Sequence, residues 1–174
     1  PRSKAGLART YQITSVLWDF TARENVSLAI QAHNGHSFRF FRNVAKETAL
    51  VEGAQKYLEQ VGLAEQADVL ASELAHGQQR RLEIAMGLAT GPKLLLLDEP
   101  LAGMGIKESW EMVELLKALR GAFTIVLIEH DMEAVFALAD RITVLVYGQI
   151  IATGTVDEIR GHPEVAKAYL GEAA

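Results

Sequence analysis

The sequence predicts an α/β fold in which a parallel sheet follows a helical first half, and three features carry that prediction. Continuous apolar runs of strand length occur at Leu94-Leu95-Leu96-Leu97, Thr124–Ile128 and Ile142–Val146, too short for buried helices and typical of parallel strands covered on both faces. Helical stretches over 106–120 and 131–139 stand between these runs, so strand, helix, strand, helix, strand follow in order. Upstream, residues 20–89 have a mostly helical pattern.

Taken in order, the first strong element is an amphipathic helix over 45–61. Val51, Ala54, Leu58 and Val61 form its apolar stripe, opposite Glu47, Lys56 and Glu59. Past the three apolar runs, Tyr147-Gly148 reads as a turn joining Ile142–Val146 to a further run over 149–152. Thr155-Val156-Asp157-Glu158 has the pattern of a capping box that starts a short helix after Gly154. Pro163 suits the first turn of a last helix running towards Leu170, because its missing N–H is an orphan at that position anyway.

The bulk numbers narrow the function classes. A chain of 174 residues at 49% hydrophobic composition buries a sizeable core. Its 17 basic and 22 acidic residues leave a net charge of −5, which gives no positive field for nucleic acid or anionic lipid. Cysteine is absent, which excludes disulfides, thiolate metal sites and a cysteine nucleophile. No apolar run approaches the roughly 20 residues of a membrane-spanning helix. The opening Pro1-Arg2-Ser3-Lys4 resembles neither a signal peptide nor an initiator methionine, so the chain is expected to begin mid-protein. His33, His36, His76 and His162 lack ligand-type spacing, and no metal cluster is expected from them.

The chemistry-bearing residues concentrate in two places. Four leucines followed by Asp98-Glu99-Pro100 put two carboxylates at the C-terminal edge of a buried strand, where ligand sites of open α/β sheets lie. An Asp there can hold Mg²⁺, and the neighbouring carboxylate can polarise a water for in-line attack on a γ-phosphate. Upstream, the run Leu74-Ala75-His76-Gly77-Gln78-Gln79-Arg80-Arg81-Leu82-Glu83-Ile84-Ala85 opens an amphipathic helix at a turn, and free N–H groups at a helix start attract anions.

That second run resembles the signature motif of ABC ATPases, L-S-G-G-Q followed by Q-R. Asp98-Glu99-Pro100 is similar to the family's Walker B segment and Gln12, in Arg9-Thr10-Tyr11-Gln12, to its Q-loop. Ala102-Gly103-Met104-Gly105 is similar to its D-loop and His130 to its switch histidine. The resemblance covers nearly the whole chain and implies a P-loop NTPase-like parallel sheet with a helical subdomain. The N-terminal strands and phosphate loop are not in this sequence. A helical, signature-bearing region is expected over about 13–90 and the remainder of the catalytic core over about 91–174.

The resemblance also implies roles. Asp98 and Gln12 would be Mg²⁺ ligands, Glu99 the general base, and His130 a hydrogen-bond donor to the γ-phosphate. Ala75, His76, Gly77 and Gln78 would form the contact to ATP held by an opposite subunit. Within the family, Gly6-Leu7-Ala8-Arg9-Thr10-Tyr11-Gln12, Glu24-Asn25-Val26, 74–78 and 99–105 look like ATP-binding subunits of branched-chain amino acid importers, with urea and amide importers as near alternatives. The implied cofactors are ATP and Mg²⁺. The implied partners are a second ATP-binding subunit, as homo- or heterodimer, and transmembrane permease subunits, with no nucleic acid. The implied place is the cytoplasmic face of the cell membrane. Trp18, Phe20 and Phe38-Arg39-Phe40-Phe41-Arg42 either furnish contacts to a permease coupling helix or pack the helical subdomain.

Three departures qualify these roles. No G-x-x-x-x-G-K-[S/T] occurs, and the family's aromatic platform for adenine is missing too, so this polypeptide alone is expected neither to bind ATP tightly nor to hydrolyse it. Ala75 stands where the family has a serine hydroxyl, His76 replaces the first signature glycine, and Gly105 replaces the D-loop aspartate. In family topology the strand leading into the phosphate loop lies between the strand ending at Ile128 and the one starting at Ile142, so its absence would leave open strand edges. A non-catalytic binding fragment is the alternative from a different class. An ABC ATPase of DNA repair or chromosome architecture would need long heptad helices between Q-loop and signature, which the short spacing here excludes.

Overall fold

The computed structural model describes residues 5–10, 15–34 and 48–170. The chain divides into two compact units, Pro1–Glu129 and His130–Ala174.

In the first unit, strands β1 (Leu7–Arg9), β2 (Leu94–Asp98) and β3 (Thr124–Ile128) form one parallel sheet in the order β1-β2-β3. Register pairs Arg9 with Leu96 and Asp98 with Ile128. Helices α1 (Ala22–Asn34) and α2 (Thr48–Gln60) pack on each other and on α3 (His76–Leu88), with Ala54, Leu58 and Val61 buried as the apolar stripe predicts. Two single 3₁₀ turns, Ala64–Gln66 and Ala71–Glu73, lead into α3. That helix reaches the sheet at Gly87, where an added Cβ would stand 3.5 Å from Leu95 and 3.7 Å from Ala8. Leu95 and Leu97 are fully buried. Helix α4 (Ile106–Leu119) is the crossover between β2 and β3 and buries Met112, Val113 and Leu116.

Strand β3 differs from the expectation of cover on both faces. Val126 is 44% exposed and Ile128 50%, on the same side as exposed Thr124. A continuous apolar run gives no sign of whether a second layer is present. β3 is an outer strand of this sheet, and that face of it is about half open.

In the second unit, α5 (Met132–Leu138) starts at Asp131, whose carboxylate accepts from the N–H groups of Glu133 and Ala134 at 3.0 and 3.1 Å. Strand β4 (Ile142–Val146) pairs antiparallel with β5 (Gln149–Gly154) in a two-stranded sheet of their own, which corrects its reading as a third parallel strand. The cause is local. Tyr147 (φ 49°) and Gly148 (φ 78°) form a two-residue turn, left-handed at both positions, that suits strand twist and folds the next run straight back. Thr155 then caps α6 (Val156–Arg160) in the predicted capping box, its backbone N–H donating to Glu158 at 2.7 Å. Pro163 opens α7 (Pro163–Val165), and a π-helical turn, Ala166–Leu170, follows. Ile142, Val144, Ala152, Ile159 and Val165 are the core, with Met132, Val135 and Phe136 packed against it.

Candidate functional site

Strand β2 delivers Asp98 to its carboxyl end, and the chain turns sharply there. Glu99 adopts a left-handed backbone (φ 47°), a conformation that costs a non-glycine residue about 1 kcal/mol and recurs at functional sites. Two bonds to the end of β3 hold the turn. The Glu99 N–H donates to the Ile128 carbonyl at 2.9 Å, and the Leu101 N–H to the Glu129 carboxylate at 2.9 Å. Asp98 itself is met by Arg9, whose guanidinium lies 3.2 Å from its carboxylate.

The loop that follows meets the start of α3. Its bonds run from Ala102 N–H to the Glu99 carbonyl and from Met104 N–H to the Leu101 carbonyl, both 3.2 Å, with Gly103 left-handed at φ 77°. The His76 Nε2 lies 3.2 Å from the Ala102 carbonyl, which can only accept, so Nε2 carries the proton. A side chain at Gly103 would place its Cβ 3.2 Å from that same Nε2. Gly105 is the N-cap of α4, and its N–H donates to Glu108 at 3.3 Å. Arg81 of α3 and Glu111 of α4 pair at 2.6 Å.

Helix α3 begins as predicted, with Ala75 as an extended N-cap that offers no side-chain acceptor. Gln78 performs the return half of a capping box, its carbonyl oxygen accepting from the Ala75 N–H at 3.0 Å. Gly77 is buried, yet an added Cβ would meet the Glu108 carboxyl at only ordinary contact distance, 3.5 Å. Deeper in the helix, Glu83 and Arg80 pair at 3.0 Å with both side chains 6% exposed. Glu83 also accepts from the Ser15 N–H at 2.5 Å. Burial raises the Glu83 pKa, against the pull of the Ser15 N–H and of Arg80.

The segment beyond Ser15 is fixed from α1 by Asn25, which is fully buried. Its Oδ1 accepts from the Leu17 N–H at 2.8 Å, and its Nδ2 donates to the carbonyls of Leu17 and Thr21 at 3.0 Å. Trp18 (44%), Phe20 (41%) and Leu70 (36%) are exposed here and joined through the Thr21–Leu70 bridge, so Trp18 and Phe20 lie on the surface of this unit and not in its core.

Of the predicted site residues, Asp98, Glu99, Ala75, His76, Gly77 and Gln78 belong to the first unit. His130 is the first residue of the second, between Glu129 and the cap Asp131. Gln12 and the cluster 38–42 lie outside the described residues. Sequence reading missed Arg9 and Glu129. The strand that carries Arg9 has only three residues, too few for periodicity to detect. Glu129 stands beside His130 in a run that itself names no partner.

A hard divalent cation takes oxygen ligands, and Mg²⁺ is usually held by one or two carboxylates together with substrate phosphates. Asp98, 26% exposed at a strand end, fits that pattern. Among the described residues no three His, Cys, Asp or Glu side chains gather as a cage.

Adjacent carboxylates at the carboxyl edge of a parallel sheet, bonded through their loop to the start of a glycine-containing helix, define a P-loop NTPase-like α/β domain. The chain belongs to the ABC transporter family, whose model matches residues 2–102, and a model of the branched-chain amino acid ATP-binding cassette transporter matches 149–174. It is 42% identical over 180 residues to the high-affinity branched-chain amino acid transport ATP-binding protein LivG of Salmonella typhimurium, an alignment that covers 98% of this chain and 70% of the relative. To BraF of Pseudomonas aeruginosa, of the same description, it is 42% identical over 178 residues, with the same coverage. Among solved structures, the ADP conformation of MJ1267, an ATP-binding cassette of an ABC transporter, superposes with a TM-score of 0.78 at 30% identity, covering 98% of this chain and 70% of that one. No helix among the described residues is long and apolar enough to cross a membrane.

Proposed function

We propose that this chain is the signature- and carboxylate-bearing portion of an ATP-binding subunit that drives import of branched-chain amino acids. The observation that carries the proposal is the turn at the end of β2, where Asp98 closes the strand and Glu99 is held left-handed against the Ile128 carbonyl. Asp98, with Gln12, would hold Mg²⁺, which when bound neutralises charge developing on the transferred phosphate. Glu99 takes the proton of the attacking water. His130 follows β3 by two residues and donates to the γ-phosphate. Ala75, His76, Gly77 and Gln78 face ATP carried by a second copy or a related subunit, with one hydroxyl fewer than the family pattern. Exposed Trp18, Phe20 and Leu70 supply an apolar surface for a permease subunit. The names of LivG and BraF support the amino-acid substrate class, and the permease contact implies work at the inner face of the cell membrane.

The sequence holds no G-x-x-x-x-G-K-[S/T], so the 174-residue chain by itself neither binds ATP tightly nor turns it over. Micromolar ATP affinity with ordinary turnover for this chain alone would reject that, and a non-catalytic binding fragment is the second reading. The two readings separate when a relative's phosphate-loop segment is joined to the chain. The joined cassette hydrolyses ATP if the first reading holds. Its Glu99→Gln variant then keeps ATP binding and loses about a hundredfold or more in kcat, and turnover within tenfold of the parent would remove Glu99 from the mechanism.

A further inference from the structure

The ion pair between Arg9 and Asp98 joins two of the segments above, yet none of the roles given there uses it, and it sits on the carboxylate assigned to the metal. Parallel register sets Arg9 beside Leu96, and Asp98 follows two residues later on the same face of β2, so the guanidinium reaches its oxygen at 3.2 Å. The two residues are far apart in sequence, and only strand pairing joins them. Both side chains keep contact with solvent, Arg9 at 43% and Asp98 at 26% exposure. An ion pair this open contributes little net stability and exchanges readily for a better partner of the same charge.

We propose that Arg9 is the stand-in cation of Asp98: it neutralises the carboxylate while no metal is present and is displaced when a divalent cation arrives. This rests on the reading of Asp98 as the metal carboxylate. Two consequences follow from the chemistry. Without a metal, the guanidinium offsets the repulsion between the neighbouring carboxylates Asp98 and Glu99, which supports the strained turn between them. In the presence of metal, Arg9 is a competitor, so the site takes the ion less tightly than Asp98 would by itself. A guanidinium turned away from Asp98 also prefers phosphate oxygens, which a bare ion does not bring and a nucleotide-bound one does.

The test uses the 174-residue chain at low ionic strength. Mn²⁺ is titrated while line broadening of the Asp98 and Glu99 amides is followed by NMR, in the parent and in Arg9→Gln, Arg9→Lys and Asp98→Asn variants. Broadening at these amides should vanish in Asp98→Asn. The Mn²⁺ concentration for half-broadening should fall roughly fivefold in Arg9→Gln, the scale of an exposed pair, and stay near the parent value in Arg9→Lys. In the unsubstituted chain, Mg²⁺ should move the Arg9 Nε–H resonance in step with the Asp98 amide. Asp98-dependent broadening with equal midpoints in parent and Arg9→Gln, or an Arg9 resonance that stays still while Asp98 moves, overturns the exchange and leaves the metal reading intact. Broadening that never depends on Asp98 removes the metal reading and the exchange with it.

Discussion

Glu83 shows how one side chain can tie two distant segments together at a cost. Its carboxylate is 6% exposed inside α3, yet it accepts from the Ser15 backbone and from Arg80. Burial raises its pKa despite both partners, so the folded protein holds the proton to higher pH than the unfolded chain does. The contribution of Glu83 to stability is therefore complete below about pH 4.5 and is lost as pH rises through the folded value. Glutamine does not ionise, so the stability of Glu83→Gln relative to the parent should climb as pH rises above that point. Urea unfolding of both proteins at several pH values checks this, and a difference that stays flat would refute it. Asp68 has the opposite sign: the hydrogen bond from Arg23 lowers its pKa, and its contribution disappears on acidification.

At the scale of elements, the start of α3 is where local chemistry and function compete. Its N-cap Ala75 has the extended backbone of a capping residue but no oxygen to offer the first turn, while Gln78 already accepts from the Ala75 N–H. A hydroxyl at position 75 would complete the reciprocal pair. Ala75→Ser should stabilise the chain by about 1 kcal/mol, visible as a higher urea midpoint at unchanged slope. No gain would mean that this helix end is held by other contacts, such as that of His76 with Ala102. Two other elements needed no tertiary information. Tyr147-Gly148 and Thr155-Val156-Asp157-Glu158 act within four residues of chain, and both fold as their sequence dictates.

On the scale of the whole molecule, the open side of β3 is the main departure from what a run of apolar residues suggests. Parallel sheets are covered on both faces and avoid exposed edges, yet Val126 and Ile128 lie about half exposed on the outer strand of this one. Family topology places the strand that leads into the phosphate loop beside β3. A relative's segment carrying that strand, added in trans, should raise the melting temperature of the chain. Val126→Asp should block the gain while changing the stability of the chain alone by no more than about 0.5 kcal/mol. Equal stabilisation of parent and variant would show that the segment binds elsewhere.

Short-range pattern was enough to fix β2 and β3 as strands, to place Asp98 and Glu99 at a strand end, and to open a helix within the run 74–85, because periodicity and capping act over one or two turns of chain. Which residues then meet was a matter of tertiary structure. Arg9 reaches Asp98 across 89 positions, Leu101 reaches Glu129 across 28, and His76 reaches Ala102 across 26. Those outcomes depend on which strand lies beside which and in what register, and they are settled by the packing of the whole chain, which no local window of residues records.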